Sequence, residues 1–367
     1  MTDSSPESSA SSARGRARRD FSLRPLLLGF AVVSMAAGLY AGLVRLGLPL
    51  PAAAALPGVH GPLMILGVFG TLISLERAVA IGLAWPYGAP AGFAISALLM
   101  LVDASDAATF VSLGASVTFL AATAWIARRQ PALFTLVLVA AAAMLVVGCL
   151  GWWLGSAVSD VAAWWLGFLV ATIAAERLEL SRIIRPGRLS QWLFLLSLAI
   201  VAAGAALGLQ LPEGRVLLGA GLIAVAAWLA RYDLAMRTVR LSGQPRFMAV
   251  SMLAGYAWLA VTGTILVSGW AGPFSYDLSL HGVLIGFVLS MVFGHALIIF
   301  PAIAGVTLTY RPALYLPLAV LHLSVTLRIV GNLLELEALR ISSGPLTALA
   351  LLGFALTLVV GRRVRTG

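Results

Sequence analysis

The sequence predicts an all-α polytopic membrane protein with about twelve transmembrane helices. Three observations carry that reading. The 367 residues are 61% hydrophobic and 10% charged, with a mean hydropathy of +1.01. A soluble domain draws about a quarter of its residues from the charged types, so a globular fold with a large core is excluded. Apolar runs of roughly 20 residues, the length that crosses a hydrocarbon core, recur along nearly the whole chain. Arginines cluster in every second connection between those runs.

In chain order, residues 1–22 are Ser-rich, polar and basic (MTDSSPESSASSARGRARRD, then FS) and predict a disordered cytoplasmic tail. The tail has no small-residue cleavage pattern, so the first span is expected to stay in place. A twelve-helix transmembrane domain over 23–367 follows. Its spans are predicted near 25–46, 58–81, 88–103, 107–127, 131–152, 157–176, 190–209, 215–233, 246–269, 279–301, 312–332 and 343–361. The span at 88–103 is short for a crossing.

The formal charge of +10 comes from 24 basic residues, all of them arginine. They stand between apolar runs and not on one continuous face, so a lipid bilayer is the expected partner and nucleic acid is not. Arg14, Arg16, Arg18, Arg19 and Arg24 precede the first span. Arg77, then Arg128 and Arg129, then Arg177, Arg182, Arg185 and Arg188 follow in alternate connections. Arg231, Arg237, Arg240 and Arg246, then Arg311, then Arg362, Arg363 and Arg365 complete the series. Asp103, Asp106, Glu213, Asp277, Glu335 and Glu337 fall on the other side. The positive-inside rule then puts both termini in the cytoplasm of a bacterial inner membrane. One cysteine, Cys149, excludes an internal disulfide and a cysteine metal cluster and reads as a packing thiol. Trp152, Trp153, Trp164, Trp165 and Trp270 read as an interfacial belt.

LISLERAVA closes the second span and TIAAERLEL the sixth, so Glu76–Arg77 and Glu176–Arg177 echo each other at helix ends. Interfacial anchoring accounts for this, with arginine near a helix C-terminus. A structural pairing between repeat halves is the other reading.

Chemistry concentrates in four histidines, His60, His281, His295 and His322, each in an apolar segment. An ionisable side chain in hydrocarbon is costly and marks a functional candidate unless it is a satisfied interior residue. His60 opens the second span and His281 the tenth, and both spans run the same way, so the two rings are expected at similar depth near the outer face. Two neutral imidazoles on different helices can ligate a planar haem from opposite sides. His295 lies 14 residues beyond His281, roughly 21 Å deeper, and within about one turn of the depth of His322. These two can form a second site, for copper or a proton relay, or a hydrogen-bonded polar pair. Arg328 and Arg45 lie near the outer ends of their spans. Either can pair with haem propionates or snorkel to headgroups.

The stretch from His281 through Val288-Leu289-Ser290-Met291 to Phe300-Pro301 resembles the tenth helix of subunit I of the haem-copper oxidases. HGPLMILG, from His60, is similar to the second helix of that family. The resemblance implies a haem-copper oxidase subunit I-like bundle, with His60 and His281 as axial ligands of a low-spin haem b. The oxidase pattern departs at Ser279, where a second histidine would stand, and at Trp164 and Trp165 in the sixth span. The ligands of a high-spin haem and its copper are thus absent, and oxygen reduction of the oxidase type is not expected. Arg24-Pro25, the first span and the segment from His60 to Gly67 are also similar to the NnrS family. That resemblance implies haem, and in some members copper, which His295 and His322 would serve.

These readings lead to a haem-binding membrane protein in electron transfer or in nitric oxide and denitrification-related metabolism, working with a redox partner or respiratory subunit. A twelve-span secondary transporter of a small solute is the alternative, and a cofactor-free assembly partner is a third. A colourless protein and substrate flux in vesicles would favour the transporter. No nucleophile–base constellation or phosphate loop argues for a hydrolytic or phosphoryl-transfer enzyme.

Overall fold

The computed structural model describes residues 6–53, 55–181, 184 and 186–363. Residues 1–5 of the expected tail, together with Arg182, Arg185 and Arg365, lie outside the described residues. Residues 6–22, for which composition predicted no regular structure, are helical and lead into the first span.

Twelve apolar helical segments follow in chain order. They are α1 (Pro6–Arg45), α2 (Leu56–Ile81), α3 (Gly88–Leu101), α4 (Ser105–Arg129), α5 (Leu133–Trp153) and α6 (Val158–Ser181). α7 (Arg188–Leu207), α8 (Pro212–Tyr232), α9 (Gly243–Val267), α10 (Ser275–Ile303), α11 (Pro312–Leu333) and α12 (Glu337–Val360) complete the series. Each matches one expected span. Among the described residues, eleven are long and apolar enough to cross a membrane. The difference from the expected twelve is α3, which with the turn before it makes a shorter apolar helix, Trp85–Leu101. This is the all-helical architecture of a polytopic membrane protein. A two-residue antiparallel pair, β1 (Thr307–Leu308) with β2 (Arg362–Arg363), ties the end of the chain to the turn after α10.

Neighbours in sequence pack as neighbours in space, α3 through α9 in succession and α11 against α12. Short connections between membrane-length helices leave little other choice. α10 is different, because it touches α1, α2, α6, α9 and α11. α6 and α10 are also the innermost helices: 72% and 67% of their most apolar windows are buried inside the protein, against 28% for α1. A histidine on α10 is therefore held among protein side chains and not against lipid.

The centre is filled by large side chains. Trp165, Phe168, Phe287 and Phe293 are fully buried. Trp165 is a correction to the expected aromatic belt, since it lies inside the bundle and meets Trp152 edge-on at 5.6 Å. Its helix, α6, has protein on nearly every side, so an aromatic there packs the core. Cys149 is buried and free.

Candidate functional site

His60 begins the α-helical part of α2 and lies against α1, where its Nδ1–H donates to the Gly38 carbonyl at 2.7 Å. α1 approaches α2 closely at two glycines four residues apart, Gly38 beside Met64 and Gly42 beside His60. A Cβ at Gly42 would stand 2.7 Å from Cε1 and 2.8 Å from Nδ1 of His60, inside van der Waals contact. His281 sits in the second turn of α10. Its Nδ1–H donates to the Asp277 carbonyl at 2.9 Å, with Asp277 Oδ1 at 3.2 Å.

A backbone carbonyl only accepts, so both rings carry their proton on Nδ1 in the neutral form. Each Nε2 keeps its lone pair. That arrangement fixes tautomer and orientation in the way a ligating imidazole requires.

The structure brings His60 and His281 together. Their ring centroids are 6.0 Å apart and their planes differ by 8°. That distance lies within the range of an offset-stacked pair, about 4.5–7 Å. Two imidazole nitrogens each about 2.0–2.1 Å from one metal ion place the centroids roughly 6 Å apart. The observed separation is close to that value.

Asp277 anchors this arrangement. Its carboxylate accepts a two-pronged contact from Arg328, Nε to Oδ2 at 2.8 Å and Nη2 to Oδ1 at 2.5 Å, and a third bond from Asn332 Nδ2 at 2.7 Å. The planar guanidinium fork suits a carboxylate. Arg328 is 8% exposed, so the pair locks the start of α10 to α11 from within the protein. Arg328 had been expected to face propionates or headgroups. The structure instead gives its fork to Asp277, while Nη2 also directs a long hydrogen bond of 3.5 Å to the His281 Nε2 lone pair.

The two histidines open into one cavity of about 510 Å³, also bordered by Arg45, Tyr276, Arg328 and Arg340. That volume falls within the span typical of cofactor sites, about 300–1,000 Å³. Arg340, which sequence reasoning passed over, lies over the Phe274 ring at 4.6 Å, and its Nε is buried without a hydrogen-bond partner.

α2 and α10 share a further feature. Immediately after each histidine's turn the helix widens to π geometry, at Leu63–Gly70 in α2 and at Leu284–Leu289 in α10. Wide turns of this kind are rare and gather at functional sites. In sequence both follow a His-Gly-x-Leu run, His60-Gly61-Pro62-Leu63 and His281-Gly282-Val283-Leu284. This repeat was the available signal that the two histidines are counterparts. Gly282 has its own reason, because a Cβ there would collide with Thr262 Oγ1 of α9.

His295 and His322, expected to be able to pair, face different partners. Trp258 Nε1–H donates to His322 Nδ1 at 3.1 Å, which occupies that lone pair and leaves the proton on Nε2. His295 has the opposite tautomer, with Nδ1–H donating to the Met291 carbonyl at 2.7 Å. Among the described residues, no ring contact or hydrogen bond joins the two, and no three His, Cys, Asp or Glu side chains cluster to hold a metal ion. His295 borders a smaller cavity with Glu76 and Glu176. The repeated Glu-Arg motifs meet there, since Arg77 Nη2 bonds Glu176 Oε1 at 2.5 Å across α2 and α6.

Fold and site define a class: an all-helical polytopic membrane protein with two facing histidines, from α2 and α10, over one polar-rimmed cavity. The chain belongs to the family described as domain of unknown function DUF8744, whose family model matches residues 24–363. No curated protein and no solved structure matches the chain.

Proposed function

We propose that this is a haem b-binding protein of the bacterial inner membrane, with His60 and His281 as the two axial ligands. The reading keeps the resemblance to the NnrS family and to subunit I of the haem-copper oxidases. The function is electron transfer, or the handling of nitric oxide in denitrification-related metabolism. The observation that carries it is the pair of parallel imidazoles 6.0 Å apart, each with Nδ1–H bonded to a backbone carbonyl.

The residues present fit the group. Two neutral imidazoles lie parallel at about the centroid separation that two ligands of one ion would have, and the cavity is large enough for a cofactor. Arg45 and Arg340 border it as cations suited to carboxylates, and neither has its charge taken up by a buried carboxylate as Arg328 does. A haem held there by His60 and His281 would supply one-electron chemistry or a site for a diatomic gas. The chain's own part is to fix both tautomers, to hold His281 through Asp277, and to wall the site with buried α6 and α10.

The test is optical. Full-length protein purified from haem-replete cells and reduced with dithionite is expected to show b-type haem bands. Those bands should be lost in His60→Ala and in His281→Ala, while His322→Ala retains them. A colourless wild-type protein overturns the reading, and solute flux in cofactor-free vesicles would install the transporter in its place.

A further inference from the structure

The smaller cavity carries a separate inference, independent of the haem. It encloses about 110 Å³ between α1, α2, α6 and α10. A water needs roughly 10–15 Å³ of such space, so several fit. Most of the wall is apolar, including Leu28, Phe69 and Phe300. The polar groups that face in are Glu76, Glu176, His295 and Thr172.

The hydrogen-bond count at this cavity does not balance. His295 Nδ1–H is used by the Met291 carbonyl, so Nε2 is an acceptor, and it is buried with no partner. Glu176 is satisfied at Oε1 by Arg77. Glu76 has no hydrogen bond and no ion pair among the described residues. His295 Nε2 and the Glu76 carboxylate are thus the two acceptor groups in the lining without a hydrogen bond, beside the Thr172 hydroxyl, while Arg77 Nε and Arg177 Nε are buried donors without partners on the same two helices. A buried acceptor left unmade costs about 1–3 kcal/mol, and among the described residues of this lining His295 Nε2 is that acceptor.

The charged and titratable groups around His295 are few. α2 brings Glu76 and Arg77, and α6 brings Glu176 and Arg177. α9 brings Tyr256, and Asp233 caps the end of α8. Arg177 is turned to α9, where Nη1 meets Met252 Sδ at 3.6 Å. The Tyr256 hydroxyl and Asp233 are buried beside one another.

We infer that the Glu76–Glu176–His295 cavity is a proton-binding site, in which water carries one proton shared between the Glu76 carboxylate and His295 Nε2. The proton arrives on water: an O–H bond of hydronium breaks as an O–H forms on Glu76 or an N–H on His295. No redox partner is involved. The shared proton satisfies His295 Nε2 and gives Glu76 a hydrogen bond.

The test is infrared difference spectroscopy between acidic and alkaline buffer, on full-length protein in lipid, in H₂O and D₂O. A protonated-carboxyl C=O band that shifts in D₂O is expected. Glu76→Gln should abolish it, Glu76→Asp should keep it, and His295→Gln should move its frequency. The amide band of each variant reports whether the helices have formed. The absence of a carboxyl band in wild-type protein overturns the inference. So does a band that survives in folded Glu76→Gln, or one unmoved in folded His295→Gln. Whether the preparation is coloured does not enter the measurement.

Discussion

At the scale of single residues, the candidate site depends most on Asp277, which borders the cavity and holds His281. It receives Arg328 at two points and Asn332 at a third, and its own backbone carbonyl accepts from His281. Removing one member of a buried charge pair leaves the other uncompensated, at about 3–5 kcal/mol. The Asp277 side chain is 25% exposed and that of Arg328 10%, so the lower end applies. Asp277→Ala is expected to destabilise the protein by about 3 kcal/mol, read as a fall in the unfolding midpoint in detergent. Asp277→Leu combined with Arg328→Met should recover most of that loss, because neither charge is then left alone. A double variant no more stable than Asp277→Ala would show that the pair is not what fixes α10 to α11. The histidines were legible in the sequence as rare titratable groups in hydrocarbon. Asp277 was visible only as a neighbour of His281, because its bonds to Arg328 and Asn332 join positions 51 and 55 residues apart.

At the scale of elements, α2 and α6 are joined by the two Glu-Arg motifs. The echo of LISLERAVA and TIAAERLEL could be read as interfacial anchoring or as structural pairing, and the Arg77–Glu176 contact favours pairing. Both side chains are partly buried, 14% and 27% exposed, so the contact is stronger than a surface ion pair. A hydrogen bond to a charged group contributes about 1.5–3 kcal/mol. Arg77→Glu should therefore cost at least 2 kcal/mol or so, by loss of the bond and by repulsion from Glu176. Adding Glu176→Arg should restore the unfolding midpoint towards wild type, since the exchange reverses the contact and keeps it. Failure of the exchange to recover any stability would return the motif to simple anchoring. Apolar length made each helix legible, because a bilayer imposes it on the sequence directly. The π turns of α2 and α10 were not, as ordinary apolar residues fill them and the twin His-Gly-x-Leu runs were their only trace.

At the scale of the whole molecule, the open matter is whether α3 crosses the membrane. Trp85–Leu101 is 17 residues, about 25 Å of helix against a hydrocarbon core near 30 Å, which is short but within reach if the bilayer thins locally. The arginines argue that it crosses. Arg77 precedes α3, and Arg128 and Arg129 follow α4, while the connection between α3 and α4 carries Asp103 and Asp106 and no arginine. Only a crossing α3 puts both arginine groups on one side. It also gives an even number of spans, and so returns the C-terminus to the side of the N-terminus. Cys149 is fully buried, so introduced thiols can be read without background from an exposed native thiol. Ala84→Cys, at an exposed position, and Ala104→Cys, at a half-buried one, flank α3. With a membrane-impermeant maleimide on intact cells, Ala104→Cys is expected to label and Ala84→Cys to label only after the membrane is opened. Equal labelling of both from one side would make α3 a re-entrant or interfacial helix. The arginine alternation would then break at that point, and the two termini would lie on opposite sides. α2 and α10 begin on opposite sides of α3 in the chain. A non-crossing α3 leaves α2 as placed and reverses every later helix, so His281 would enter from the other face of the bilayer. The 6.0 Å approach of His60 and His281 requires both helices to start from the same face, and it therefore depends on α3 crossing.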